Sequence, residues 1–515
     1  MRRFLDRLYY ASGAFAALCI AAIFVLMLAQ SFGREAGILI RGAEDIVAWL
    51  CAASAFFALG HTFRHGELVR VGLWLDMLGM RGRWLAELFS LLLILLIGGV
   101  WIAISLAAVA WFGLQFFTST PPDVNLFQSF WGSSASWTLA ALPMFVWMGE
   151  ILYRTRLSDE MFEGLSPWLG WLPGRLMHVN ILGCAIFGTV SGSSAATCAT
   201  IAKVALPELK RRGYDEKTCL GSLAAAGTLG ILLPPSIIMV VYAVAAEVSI
   251  IKVFLAGFIP GFVLTALFSG YIVIWALMNP EKTPPDEIRT TLKEKLYRAR
   301  HLVPCLALIV FIVWVMVIGW ATATEAAAYG VLGALAIAWW SGGLGRQTFW
   351  ESLMGATRLS CMIMFILAGA SFLSSCMAFT GIPRALAEWV ASLEPHRYTL
   401  IAVLAGIYIL LGTALDGISM IVLTTSIVIP MVEKAGFDLV WFGIFIVLLV
   451  EIAELTPPLG FNIFVLQTMT GRDSNYVALA SLPFFFMMVL CIALITVFPE
   501  LATWLPDALI GVTKK

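Results

Sequence analysis

Two clusters of small and hydroxyl-bearing residues interrupt apolar stretches of this chain. The first opens with Ser191, Gly192, Ser193, Ser194 and Thr197 and closes with Pro234, Pro235 and Ser236, with Gly227 and Thr228 shortly before the prolines. The second opens with Asp416 and Gly417 and closes with Ala453, Thr456, Pro457 and Pro458, with Asn462 just beyond. Glycine relaxes the backbone and proline removes an amide donor, so both interrupt helices. In hydrocarbon a broken helix survives only against protein or a wet cavity, because its freed amides and carbonyls have no water. Freed carbonyls and hydroxyl oxygens suit a hard cation, which takes oxygen ligands. Helix N-termini turn their amides towards anions. The chemistry on offer is therefore the binding of small ions.

Bond-making chemistry has little support. There is no HExxH zinc motif, no GxSxG elbow and no Walker loop. An intramembrane enzyme is a remote alternative, since it needs a nucleophile or metal cluster that the sequence does not offer. Without a phosphate-binding loop or a sizeable soluble domain, the chain cannot itself draw on ATP. No resident cofactor is called for; an ion gradient is the expected source of energy.

The two clusters are copies. Adding 223 to the numbering lays residues 191–236 over 414–459 without a gap. Pro207 then falls on Pro430, Gly213 on Gly436, Asp215 on Asp438, and Pro234-Pro235 on Pro457-Pro458, while Tyr214 meets Phe437 and Ser193 meets Asp416. Each copy has a small-residue break, an apolar helix ending at proline, a Gly-aromatic-Asp turn, a second helix and a Pro-Pro break. Matched interrupted helices in two copies point to a transporter site near the bilayer midplane.

The elements that must position these breaks are membrane spans. Of 515 residues, 61% are hydrophobic and only 12% charged, against about 25% charged in soluble domains. Apolar runs recur at 8–31, 46–59, 85–117, 137–152, 251–278, 302–320, 400–415, 442–450 and 482–497. A full span takes roughly 20 apolar residues, so the expectation is an all-α polytopic membrane protein with about a dozen membrane elements, several short or interrupted. Zero net charge, with no basic stripe, gives no case for nucleic acid. Membrane lipid is the surrounding partner. The nine cysteines lie mostly in apolar sequence without paired spacing and read as small buried hydrophobes. The first run lacks a cleavage site and reads as a first span, with Arg2, Arg3 and Arg7 placing its start on the cytoplasmic side. Residues 61–83 read as an amphipathic interfacial helix, and 279–300 as a cytoplasmic connector carrying a short surface helix.

Several polar residues at depth have two readings. Asp416 either ties the tip of a hairpin by hydrogen bonds or contributes to cation binding. Glu451 and Glu454 either cap a helix or serve function. Glu325, following Thr322 and Thr324, fits a helix-opening cap. Lys203 and His178 read as interface or packing residues, and Arg384 as a snorkelling or helix-opening residue.

Segments including ALPMFVWMGEIL, FGTVSGSSAAT, LPELKRRGYDEK, GTLGILLPPS, ATATEAAAYG, ALDGISMIVLTTSIVIP and ELTPPLGFNIFVLQ resemble the large permease subunit of the TRAP (tripartite ATP-independent periplasmic) transporters. The N-terminal part, with HTFRHGELVRVGLWLD, is similar to the small permease subunit, which some members fuse to the large one. That assigns 1–118 to a shortened small-subunit-like scaffold and 119–515 to a large-subunit-like transport region, with repeat units around 172–279 and 396–499. The resemblance implies an elevator-type transporter of the bacterial inner membrane, with two inverted repeats, each holding a re-entrant hairpin and a broken helix. It implies sodium-coupled uptake of a small organic anion, a carboxylate such as a dicarboxylate or sugar acid, delivered by a periplasmic solute-binding protein. A binding-protein-independent sodium- or proton-coupled carboxylate transporter is the alternative. Substrate and ion contacts carry over to the break residues named above, with sodium on Ser193, Ser194, Gly227, Asp416, Ala453 and Thr456. Where family members often have glycine, this chain has Ala453, and a backbone carbonyl ligand survives that change.

Overall fold

The computed structural model describes residues 2–35, 42–43, 45–51, 53–54, 95, 100–155, 164–284, 291–300, 302–380, 397–413, 415–457 and 460–511. The interfacial segment 61–83, Arg384 and Pro458 lie outside the described residues. Over the described residues the chain is helical, without strands.

Before the first repeat come α1 (Arg2–Glu35), α2 (Ile102–Phe117), α3 (Pro122–Ser134) and α4 (Ala141–Tyr153). The first repeat contains the hairpin α5 (Leu176–Ser191) and α6 (Ser194–Arg211), the broken helix α7 (Glu216–Leu232) and α8 (Ile237–Ala245), and α9 (Ile250–Met278). Between the repeats lie α10 (Leu292–Ala299), α11 (Val303–Val317), α12 (Ala323–Trp340) and α13 (Arg346–Thr380). The second repeat has the same order: hairpin α14 (Arg397–Gly412) and α15 (Gly417–Lys434), broken helix α16 (Leu439–Glu454) and α17 (Phe461–Thr470), then α18 (Ser474–Val497). A final helix, α19 (Glu500–Ile510), closes the described chain.

The offset of 223 holds in detail. Helices α6 and α15 both run 18 residues from starts at 194 and 417; they do not end at Pro207 and Pro430, as the sequence suggested, but continue for one more turn past them. Asp215 and Asp438 cap the next helices through their side chains, each donating partner being an otherwise orphaned first-turn amide. Gly213 and Gly436 share a φ of +78°, left-handed backbone that favours glycine. This is why the Gly-aromatic-Asp turn recurs.

Among the described residues four helices are long and apolar enough to cross a membrane, or up to eight if each bent pair is one span. Three shorter apolar helices, one of them the first hairpin arm, bring the set close to the expected dozen. The bend between α7 and α8 is 45°. It falls at the double proline, which cannot donate to the carbonyls one turn back.

Helix α7 is apolar all round and buried from Thr218 to Leu232, as expected of a helix at the centre of a bundle. Small residues let its neighbours approach. A Cβ on Gly230 would collide with Gly188 of α5, and one on Gly221 with the Ala480 carbonyl of α18. Outside the repeats, the N-terminal helix packs on α4 and α12: Phe24 meets Trp147 edge-on at 5.6 Å and Ser31 pairs with the Tyr329 hydroxyl. The Cys361 thiol donates to the Ser54 carbonyl at 3.0 Å. All nine cysteines are free and buried. Glu325 forms the capping box with Thr322 that its position implied, and α10 is the short helix expected in the connector. His178 is buried, with Nε2 2.7 Å from the Pro173 carbonyl.

Candidate ion and solute site between the two breaks

The first hairpin turns at Ser191–Ser194. Gly192 caps α5 with a φ of +61°, and Ser193 caps α6, its side chain accepting from the Ala196 amide at 3.4 Å. The Ser191 and Thr197 hydroxyls pair at 2.6 Å, closing the tip from within. Ser194 points away and donates to Asn462 Oδ1 at 2.9 Å. The second hairpin turns at 413–416, and Asp416 does what Ser193 does: it caps α15, accepting from the Ser419 amide at 3.3 Å and from the Ser419 hydroxyl. Of its two readings, the hydrogen-bonded tip is therefore in place; its cation role is a separate matter.

The breaks interlock across the repeats. Asn462, on the helix after the second break, accepts from Ser194 and donates to the Ala224 carbonyl at 2.8 Å. Its amide nitrogen lies where a Cβ on Gly227 would approach to 3.0 Å, so glycine makes room for it. Reciprocally, α8, the helix after the first break, sits between both hairpin tips. A Cβ on Gly192 would meet Ile237 at 2.9 Å, and one on Gly417 would meet Ile238 at 3.3 Å. Each post-break helix thus touches the other repeat. Tyr242 of α8 adds a bond from its hydroxyl to the Leu439 carbonyl at 2.6 Å.

The other expected residues serve the ends of the broken helices. Pro234 and Pro235 stand four residues after Gly230 and Ile231, and Pro457 four after Ala453, so these carbonyls lose their helical donors. The Ser236 hydroxyl takes up the Ile231 carbonyl at 2.6 Å and caps α8. Thr228 is fully buried and donates to the Ala225 carbonyl at 2.8 Å. The Ala453 carbonyl accepts from the Leu455 and Thr456 amides, and the Thr456 hydroxyl donates to Ile452 at 2.5 Å. Thr456 is thus turned onto its own helix end, and Pro457 is exposed.

Three residues join the site that the expected set lacked. Gly230 is the counterpart of Ala453, four residues before a proline, and the i−4 rule could have found it. Glu451 is fully buried, and neither of its carboxylate oxygens accepts a hydrogen bond; it faces Thr228 of the first repeat. Glu454 lies one turn on, beside Ser194 and within electrostatic reach of Asp416, with one oxygen unpartnered. Both acids sit in VEIAELTPP, where their spacing of three puts them on one helix face.

This donor set fits a monovalent hard cation. Hydroxyls, helix-end carbonyls and orphaned carboxylate oxygens are all oxygen donors. Among the described residues no three His, Cys, Asp or Glu side chains converge as a metal cluster would require. A cavity of about 590 Å³ opens at the far end of α8, bounded by α3, α13 and α15, within the range of about 300–1,000 Å³ usual for small-molecule sites. Ser133, Thr138, Ser371, Ser374 and Thr425 give it hydroxyls, and among the described residues Glu247 is the one charged residue lining it.

Known proteins resemble this chain in sequence and in fold. Residues 89–501 match the family described as "Tripartite ATP-independent periplasmic transporter, DctM component". The C4-dicarboxylate TRAP transporter large permease protein DctM of Pseudomonas aeruginosa is 31% identical over 385 residues, covering 75% of this chain and 88% of that protein. The ectoine TRAP transporter large permease protein TeaC of Halomonas elongata is 30% identical over 372 residues, 72% of this chain and 86% of that one. In fold, the crystal structure of the Alcanivorax borkumensis YdaH transporter, described as having an unusual topology, superposes with a TM-score of 0.51 at 13% identity, covering 74% of this chain and 89% of its own.

Proposed function

Because the chain belongs to the DctM component family of tripartite ATP-independent periplasmic transporters, a family of permeases of the inner membrane and not of enzymes, we propose that it carries out sodium-coupled uptake of a small carboxylate-bearing solute handed over by a periplasmic binding protein. The interlock of the two breaks supports this reading most. Asn462 ties the second broken helix to Ser194 and Ala224 of the first repeat, while α8 touches both hairpin tips, so movement of one tip is felt by the other.

In this reading Ser193, Ser194 and Asp416, with the carbonyls of Gly227, Gly230 and Ala453 and the hydroxyl of Thr456, would hold the ion. Bound sodium would supply positive charge beside Asp416. The residues of the chain do the rest. The caps at Ser193 and Asp416 fix the tips, the prolines hold carbonyls out of the helix ladder, and the hydroxyls of the α8 cavity offer hydrogen bonds to a polar solute. Among the described residues that line the cavity none is basic, so a bound cation would add attraction for a solute anion. That is a physical basis for coupling. The elevator motion and inverted relation of the repeats belong to the same proposal. So does the assignment of residues 1–118 as a small-subunit-like scaffold.

Proteoliposome uptake tests the proposal, with succinate as the first probe and a wider panel of carboxylates after it. Uptake that needs both an inward sodium gradient and the cognate binding protein is expected. Sodium-driven uptake without any binding protein would overturn the tripartite part, and uptake indifferent to sodium would overturn the coupling.

A further inference from the structure

We infer that Glu451 and Glu454 supply the countercharge of the coupling-ion site, so that a cation bound between the repeats is held by two carboxylates, one buried and one half-buried, as well as by the neutral oxygens of the breaks. The inference rests on the sodium-coupled reading above and adds residues that carry the charge. Glu451 is wholly buried with both oxygens unpartnered, and Glu454 leaves one oxygen unpartnered. Buried polar atoms in native folds nearly always find a partner. An ionised carboxylate without one is strongly unfavourable in a low dielectric.

Among the described residues the surroundings offer these acids neutral hydroxyls and like charge, but no cation. From α16 itself, Glu451 faces Glu454, a like charge. From α7 it faces Thr228, and from α18 Cys491 lies within its field. Glu454 faces Ser194 and Cys198 of α6 and feels Asp416 at the cap of α15. None of these groups carries positive charge. Both carboxylates lie on the side of α16 that meets the hydroxyl-bearing helices of the first repeat. A cation arriving there meets neutral oxygens on one side and negative charge on the other, and it removes the repulsion between the two acids.

Thermal unfolding of the purified permease in sodium against potassium tests this, with sodium alone as the probe. Wild type is expected to gain stability as sodium replaces potassium. Glu451→Gln should unfold at a higher temperature than wild type in potassium, because an unpaired charge is gone, and should need about tenfold more sodium for half of the gain, equivalent to ~1.4 kcal/mol of binding. Glu454→Gln should shift in the same sense, and Glu451→Asp should recover part of the sodium response. A purely structural glutamate predicts the opposite pattern, with Glu451→Gln less stable in both salts and its sodium increment intact. That result overturns the inference. If Glu451→Gln yields no folded protein, Glu454→Gln decides by the same comparison. Failure of wild type itself to respond to sodium would overturn the sodium reading and this inference with it, whereas a normal wild-type response with unaltered variants overturns only the inference.

Discussion

The two repeats share a backbone and differ in charge. At positions 223 apart, Ser193 and Asp416 cap equivalent helices, and Thr228 stands where the second repeat has Glu451. The first repeat meets the interface with hydroxyls, the second with carboxylates. A further contrast lies in packing: Gly230, pressed against Gly188, corresponds to Ala453, which meets Gly412. The fold is therefore duplicated while the chemistry is divided. The first repeat supplies close helix approach and neutral oxygens, and the second supplies negative charge. A site built this way works only when both halves are present.

The largest expected effect separates the halves by packing. Gly230→Leu should lose folded permease or cost about 1–3 kcal/mol or more through overpacking against Gly188. Ala453→Gly, at the matching position, should cost only about 0.5–1 kcal/mol as a helix-interior glycine. Thermal unfolding in detergent measures both, and equal losses would deny that the first repeat is the tighter half.

Next comes the tie between the repeats. Asn462→Leu removes the bonds to Ser194 and Ala224 and should cost about 1–3 kcal/mol for buried polar groups left without partners. If its unfolding matched wild type, the interlock would be incidental. The caps follow. Ser193→Ala and Asp416→Ala should each lower stability by about 1 kcal/mol in potassium, a parity that tests whether the tips are equivalent in structure despite their difference in charge.

The smallest effect lies at the surface, where Arg472 of the second repeat grips Glu216 of the first through two bonds, one of 3.0 Å and one of 2.5 Å. The hydrogen bond from Arg472 holds the Glu216 carboxyl below its ordinary value of 4.5. A lowered folded value means that the pair's stabilisation is present above that ordinary value and fades as pH falls through the lowered one. The pair is solvent-exposed and so worth little. Arg472→Ala should flatten the acid limb of the stability profile slightly and leave neutral pH nearly unchanged. A marked loss at neutral pH would show that the clamp matters more than an exposed pair should.

Much of this was legible in the sequence because it is local. The Gly-aromatic-Asp turns and the Thr322–Glu325 box follow from residues within a few positions of each other, and the offset needs only a comparison of two such local patterns. The double prolines likewise announced the breaks. What could not be read is what those breaks face. Ser194 and Asn462 are 268 positions apart, and no spacing rule brings them together. Glu451 and Glu454 read equally as caps or as functional groups until the fold left both oxygens of Glu451 and one of Glu454 unpartnered. The α8 cavity draws its walls from four distant helices, so it has no sequence signature at all.

Sodium binding to purified permease, followed at equilibrium for wild type, Ser193→Ala and Asp416→Asn, tests the shared site most directly. The account predicts that both substitutions weaken binding, although they sit in different repeats and differ in charge. Sodium binding unchanged in either variant would contradict a site assembled from both halves.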